Sequence, residues 1–154
     1  MTSSPSAPLT AALRFDHIGV VVKDIPAAIA TFGATFGIVG ITERFDDEGL
    51  GVSVQFCRDF SGIVYEAISP LGAKSSVAKT LASKTNLLNQ VAYRTDAFAQ
   101  SAEALRDAGH FALGPPAPAL AFGGARVQFF WCEMGFVIEL IEGLNTGPTF
   151  HTPT

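Results

Sequence analysis

The sequence predicts an α+β fold: two paired β-α-β-β-β modules forming an open, cupped eight-stranded sheet. The first observation behind this is a repeat. Phe15-Asp-His-Ile-Gly-Val-Val-Val-Lys-Asp-Ile25 returns as Leu88-Asn-Gln-Val-Ala-Tyr-Arg-Thr-Asp-Ala-Phe98, and each copy reads as an apolar strand that ends in a charged turn and enters an alanine-rich amphipathic helix. The second is that the offset of 73 residues (90 − 17) recurs without a gap. Gly51-Val-Ser-Val-Gln-Phe56 matches Gly124-Ala-Arg-Val-Gln-Phe129, and Val64-Tyr-Glu-Ala-Ile68 matches Val137-Ile-Glu-Leu-Ile141. One period shared by three segments marks a duplicated supersecondary unit, and two copies of such a unit usually close around a pseudo-two-fold axis. Chemistry is expected on that axis.

Residues 1–12, with Pro5 and Pro8 among small polar residues, read as a disordered lead-in without the cationic start and apolar core of a secretory signal. In Leu13 to Val22, alternation puts Phe15, His17, Gly19 and Val21 on one face. Asp24 can cap the next helix, with Pro26 in its first turn. Ile25, Ile29, Phe32 and Phe36 form an apolar stripe there, and Gly37 ends it. Ile38 to Phe45, Gly51 to Cys57 and Ile63 to Ile68 read as strands separated by the turns Asp46 to Gly49 and Asp59 to Gly62.

A linker, 70–86, carries a short helix from Ser76 to Ser83 with Val77 and Leu81 inward. The second module repeats the plan, with a strand from Leu88 to Thr95, Asp96 as cap, a helix with Phe98, Ala102 and Leu105 inward, and Gly109 as its stop. Pro115-Pro-Ala-Pro118 reads as a stiff loop that precludes regular strand pairing. Gly124 to Trp131 and Gly135 to Ile141 complete the sheet. The whole is one domain over 13–143 (modules 13–69 and 87–143), followed by a tail, 144–154.

Hydrophobic residues make up 48% of the chain and charged ones 16%, with 13 Phe. So apolar a composition points to a homodimer or to a lined ligand cavity. A net charge of −4 without a basic run argues against nucleic acid as a partner, and no apolar run approaches the ~20 residues that span a bilayer. Cys57 and Cys132 lack metal or disulfide spacing and read as free thiols of a cytoplasmic protein.

His17, Glu66, Gln90 and Glu139 each come from a different strand, and symmetry brings them together. One imidazole, two carboxylates and one amide oxygen are a donor set for a divalent cation. His17 alone reads equally as a satisfied buried histidine, and Gln90 as a hydrogen-bonding core residue. The two glutamates resist such a reading, because a carboxylate between Tyr65 and Ala67, or between Ile138 and Leu140, is costly to bury without a cationic partner. No Lys or Arg recurs at the repeat spacing to serve. Glu48, in the first module's turn, could reach the cup as a second base or be a solvated turn residue. Tyr65, Tyr93, Phe122, Phe129 and Trp131 could line a pocket or the core.

Asp16 to Ile25, Tyr65 to Pro70, Gln90 to Asp96, Pro118 to Gly124 and Ile138 to Glu142 together resemble the vicinal oxygen chelate superfamily, most closely its methylmalonyl-CoA epimerase and glyoxalase branch, over almost the whole chain. The resemblance implies the paired modules and a divalent metal held by one residue from each of four strands: His17, Glu66, Gln90 and Glu139. The ion is zinc, cobalt, nickel, manganese, magnesium or iron. Epimerases of this kind usually carry His at the position of Gln90 and commonly Gln at that of Glu66. The present set matches the glutathione-dependent glyoxalases with His and Gln exchanged between halves. A single His among the ligands departs from the two-His, one-carboxylate iron site of the superfamily's dioxygenases.

The expected activity is therefore metal-dependent epimerisation or isomerisation of a small molecule, an acyl thioester or a 2-oxo compound, by removal of a proton alpha to a carbonyl through a metal-stabilised enolate. Glu139 or Glu66 would shuttle the proton, and Glu48 is the candidate second base. The same scaffold also serves lyases, tailoring enzymes of secondary metabolism and metal-free antibiotic-binding proteins.

Overall fold

The computed structural model describes residues 13–85 and 87–154; the lead-in expected at 1–12 lies outside them. The described chain runs β1 (Arg14–Val21), α1 (Ile25–Phe36), β2 (Ile38–Asp47), β3 (Val52–Asp59), β4 (Val64–Pro70), α2 (Ser76–Ser83), β5 (Leu88–Thr95), α3 (Phe98–Asp107), β6 (Phe111–Ala112), β7 (Ala117–Pro118), a 3₁₀ turn at Leu120–Phe122, β8 (Arg126–Cys132) and β9 (Phe136–Glu142). All strands join one open sheet in the order β2-β3-β4-β1-β5-β9-β8-β6, with β7 also on β8.

Nine strands replace the expected eight because the second module splits its outer strand. Pro115 and Pro116 interrupt it, leaving two-residue pieces, Phe111–Ala112 opposite Phe130–Trp131 and Ala117–Pro118 opposite Arg126–Val127. Pro118 pairs after all, as proline can on an edge.

The duplication governs the register. Gly19 lies beside Glu66 in the parallel β1–β4 pair, and Ala92, 73 residues after Gly19, lies beside Glu139 in the parallel β5–β9 pair. The modules meet along the antiparallel β1–β5 seam, where His17 faces Ala92 and Gly19 faces Gln90. These two pairs exchange under the pseudo-two-fold, so its axis passes between β1 and β5.

Two bulges flank that axis. The register shifts between Phe15 and His17, where Asp16 is the extra residue, and again at Gly19/Val20, which leaves Asn89 extra on β5. Asp16 and Asn89 are themselves 73 positions apart. The first bulge overturns the expected alternation: Phe15 leaves the face of His17 and sets its ring edge-on to Tyr93, centroids 5.9 Å apart, while Asp16 swings beside its neighbour.

Apolar residues divide between the sheet faces by parity. On one face, Phe130, Cys132, Ile138 and Leu140 pack under Phe98, Ala102 and Leu105 of α3. On the other, Val54, Phe56, Ile68, Phe122, Val127 and Ile141 form the inner core, with Val77 and Leu81 of α2 against it. Asp24 caps α1, its Oδ1 accepting from the Ala27 amide at 2.9 Å, and Gly37 ends the helix at φ +70°. Only Ile25 of α1 is buried. Phe32 and Phe36 stack on Tyr65, and the helix, which bears no charged residue, keeps much of its apolar surface outside the core.

Asp96 does not cap α3. The buried Thr95 hydroxyl takes that part, accepting from the Ala97 amide at 3.0 Å and pairing with Ser101 at 2.8 Å. The segment expected to be a free tail folds back: Ile41 and His151 exchange backbone hydrogen bonds of 2.8 Å, and the Arg58 guanidinium lies 4.0 Å from the centre of the Phe150 ring.

Cys57 and Cys132 are free and buried. Burial, with the Asp59 charge nearby, pushes the Cys57 thiol up to about 12. The reactive form is the thiolate, so Cys57 is expected to resist iodoacetamide from pH 7 to pH 10 in the native protein and to react readily in denaturant. Labelling followed by intact-mass spectrometry reads this directly.

Candidate metal centre and cavity

β1 is held on both sides, by β4 and by β5, so the ring of His17 projects from a rigid support and is fully buried. Glu66 stands on β4 and Glu139 on β9, with 6% and 3% of their surface exposed. His17 Nε2 is 2.7 Å from Glu66 Oε2 and 3.2 Å from Glu139 Oε1. One donor atom from each of the three residues falls within 4.8 Å of the others.

Nε2 is nevertheless a buried nitrogen with no partner in hydrogen-bonding geometry. A nitrogen lone pair and two carboxylate oxygens converging on one point suit a cation, and three protein ligands with room for more are the pattern of a catalytic metal site.

The opposite ring nitrogen fixes that arrangement. Nδ1 lies 2.7 Å from Asp16 Oδ2, and Asp16 Oδ1 accepts from Arg94 Nε at 2.6 Å. With Asp16 ionised, Nδ1 carries the hydrogen and Nε2 presents its lone pair. Burial pushes the Asp16 carboxyl up, but hydrogen bonds and charges from His17 and Arg94 hold it below the usual range. Arg94 is itself buried, reaches the Gly143 carbonyl at 3.4 Å and the Thr146 hydroxyl at 3.3 Å, and lies over the Phe122 ring. Phe56 meets the His17 ring edge-on and Phe122 stacks on it.

Without a cation the cluster takes up protons. Burial acts to keep the His17 ring neutral, yet the surrounding Glu66, Asp16 and Glu139 raise its pKa well above the usual value. Burial and the Glu66 charge push Glu139 up to about 6, against the pull of His17. A divalent cation held here would compete with protons for the same groups.

Gln90 also reaches the group, its Nε2 donating to Glu139 Oε1 at 3.1 Å. So disposed, it steadies the carboxylate, and turning its amide over would offer the oxygen instead. Its place depends on Gly19: a Cβ there would lie 2.4 Å from Gln90 Cγ and 2.9 Å from Cδ. We expect Gly19→Ala to displace Gln90, break its bond to Glu139 and weaken divalent-metal affinity about 10-fold, as loss of a supporting contact does, with the circular dichroism spectrum unchanged. Calorimetric titration with zinc measures it.

Above the cluster is a cavity of about 510 Å³ whose lining includes Glu66, Gln90 and Glu139. Phe122, Phe129 and Trp131 line it as expected, whereas Tyr65 and Tyr93 belong to the opposite faces. Glu48 is exposed in the β2–β3 turn and is not part of the lining. Its neighbour Asp47, which the sequence reading passed over, does line it, because β2 continues two residues further than expected. Asp47 Oδ1 accepts from Leu50 N at 3.0 Å and Oδ2 from Leu120 N at 2.9 Å. Asp47 and Leu120 are again 73 apart, so the rims of the two halves are tied across the axis.

Fold and site together define an α+β protein of two repeated modules around a candidate metal centre. The chain belongs to the Glyoxalase/Bleomycin resistance protein/Dioxygenase superfamily, whose family model matches residues 16–129. No curated protein matches it. Among solved structures it is similar to methylmalonyl-CoA epimerase from Mycobacterium tuberculosis, with TM-score 0.70, 21% identity, and coverage of 84% of this chain and 87% of that one. A methylmalonyl-CoA epimerase in complex with methylmalonyl-CoA and NH4+ gives TM-score 0.73 at 23% identity, covering 90% and 99%. A Streptomyces coelicolor variant of that enzyme with 2-nitronate-propionyl-CoA gives TM-score 0.73 at 24% identity, covering 88% and 98%. At these identities the likeness is one of fold. Among the described residues no helix is long and apolar enough to cross a membrane.

Proposed function

We propose that the protein is a metal-dependent epimerase or isomerase that removes a proton alpha to a carbonyl. The observation that carries this is the convergence of His17 Nε2 with the carboxylates of Glu66 and Glu139 beside a cavity. The similarity in fold to methylmalonyl-CoA epimerases agrees with it. His17, Glu66 and Glu139 would hold a divalent cation, with Gln90 as a fourth ligand or as the support of Glu139. Such an ion supplies a Lewis acid that offsets negative charge developing on a substrate oxygen.

The chain's own part is to bind, orient and move a proton. Asp16 and Arg94 keep the His17 lone pair directed inward. The apolar walls exclude water from the acidified C–H bond. Glu66 or Glu139 takes the proton from the carbon next to the carbonyl and returns it to the same carbon from the other face, which inverts the centre, or to its neighbour, which isomerises the compound. Glu48, outside the lining, would need the turn to move before it could serve as the second base.

The test is exchange of the alpha hydrogen of a thioester or 2-oxo compound in deuterated water, followed by NMR. Glu66→Gln and Glu139→Gln are each expected to slow exchange by about 100-fold or more, the usual scale of a general base. Undiminished exchange in both variants would remove the assignment. A lyase reaction would use the same charge stabilisation. A metal-free ligand-binding protein is the other reading, favoured by the Gln90–Glu139 hydrogen bond and the aromatic walls. It predicts no metal after reconstitution and tight binding of a flat aromatic compound.

A further inference from the structure

The charge inside the cavity is all of one sign. Among the described residues its charged lining is Asp47, Glu66 and Glu139, with no Lys, Arg or His. Lys74, Lys79 and Lys84, on and beside α2, are exposed and outside the lining. Arg94 is committed to Asp16, and its second group of contacts lies on the tail. Asp47 has both oxygens engaged by backbone amides.

Two carboxylates already cancel the charge of a divalent cation, so even a filled centre has no surplus positive charge for an anionic substrate. A further carboxylate taken into this chamber would lose its hydration and gain no partner, and buried unpaired charge is strongly disfavoured. The remaining wall is mainly apolar and partly aromatic, from Val54, Ile68, Phe122, Phe129 and Trp131, with only neutral polar groups, Ser76, Thr80, Asn89 and Gln90, among them. At about 510 Å³ the chamber falls within the ~300–1,000 Å³ common for small-molecule sites.

We infer that the part of the substrate received by the cavity is uncharged and mainly apolar, as in an aryl or alkyl α-hydroxy ketone or α-diketone. This rests on the proposed metal site and narrows its substrate class. It sets the protein apart from an epimerase acting on a malonyl-type acid, whose free carboxylate would enter beside Glu66 and Glu139. For an α-hydroxy ketone, the carbinol C–H bond breaks, its proton goes to a glutamate and its electron pair forms the enediolate. Return of the proton restores the compound with the centre inverted or the carbonyl moved to the adjacent carbon.

Trp131 is the single tryptophan of the chain and lines the cavity, so quenching of its fluorescence reports occupancy. Zinc-loaded protein is titrated with 1-phenyl-1,2-propanedione and with benzoylformate, similar aryl ketones of which only the second carries a carboxylate. The dione is expected to bind at least about 10-fold more tightly, the discrimination that burial of an unpaired charge imposes. Leu113→Lys, at a lining position that is 58% exposed and tolerant of a cation, is expected to tighten benzoylformate about 10-fold and leave the dione unchanged. Equal or tighter binding of benzoylformate to the parent protein, or no binding of the dione, overturns the inference. Zinc content is measured separately by elemental mass spectrometry. Absence of zinc uptake removes the metal reading, while the ranking of the two probes, repeated on metal-free protein, still decides the charge preference of the cavity.

Discussion

The parent chain is expected to take up about one equivalent of a divalent metal and Glu139→Ala to lose it, with affinity reduced by at least 100-fold, beyond the ~10–100-fold typical of a supporting residue. Glu139 is in contact with both His17 and Gln90. Without it, His17 and Glu66 remain on adjacent strands as a two-point site. The metal-free variant should fold at least as well as the parent, because the substitution removes a buried carboxylate that stands near another acid. Thermal unfolding separates the two effects. The parent melts higher when zinc is added, by the usual linkage of binding to stability, and the variant does not. A variant that kept its metal would show that the site lies elsewhere.

Arg94→Ala is expected to be strongly destabilising, by about 2 kcal/mol, because it removes one partner of a part-buried, charge-assisted hydrogen-bonded pair. The stranded group would be Asp16, which then has only His17 as a partner. The change also releases the Gly143 and Thr146 contacts of the segment that leads to Phe150 and His151. Urea unfolding measures the loss. Arg94→Lys keeps the charge without the fork of donors and is expected to recover only part of it. A loss below about 1 kcal/mol for Arg94→Ala, the range of an exposed pair, would mean that Arg94 does not sustain Asp16.

Much of this was legible in the residues. The 73-residue period paired Glu66 with Glu139 and His17 with Gln90, and those four side chains do come together around the seam. The register in the structure follows the same period, since each parallel strand pair copies the other. What could not be read was what departs from strict alternation. Asp16 looked like the outward neighbour of His17, and only the bulge brings its carboxylate to Nδ1. Arg94 seemed unrelated to any acid because its partner lies 78 positions earlier and outside the repeat spacing. Glu48 was singled out in place of Asp47 because Asp46 and Asp47 looked like turn residues, whereas pairing with Ser53 and Val52 keeps both in β2. The outer strand of the second module was obscured by its prolines, which allow short edge pairings that periodicity does not register.

The paired bulges also bear on how the chain finds its fold. Pairing errors in antiparallel sheets are commonly slips of one residue, and such a slip turns every side chain to the wrong face. Along the seam it would carry His17 away from the glutamates and bring Ile18 to its place. An extra residue at Asp16 and another at Asn89 make the ladder irregular at two places, so a slipped pairing would have to shift both defects at once. The two copies act as notches of one key, and the chemistry at the centre depends on their having found each other in the correct step.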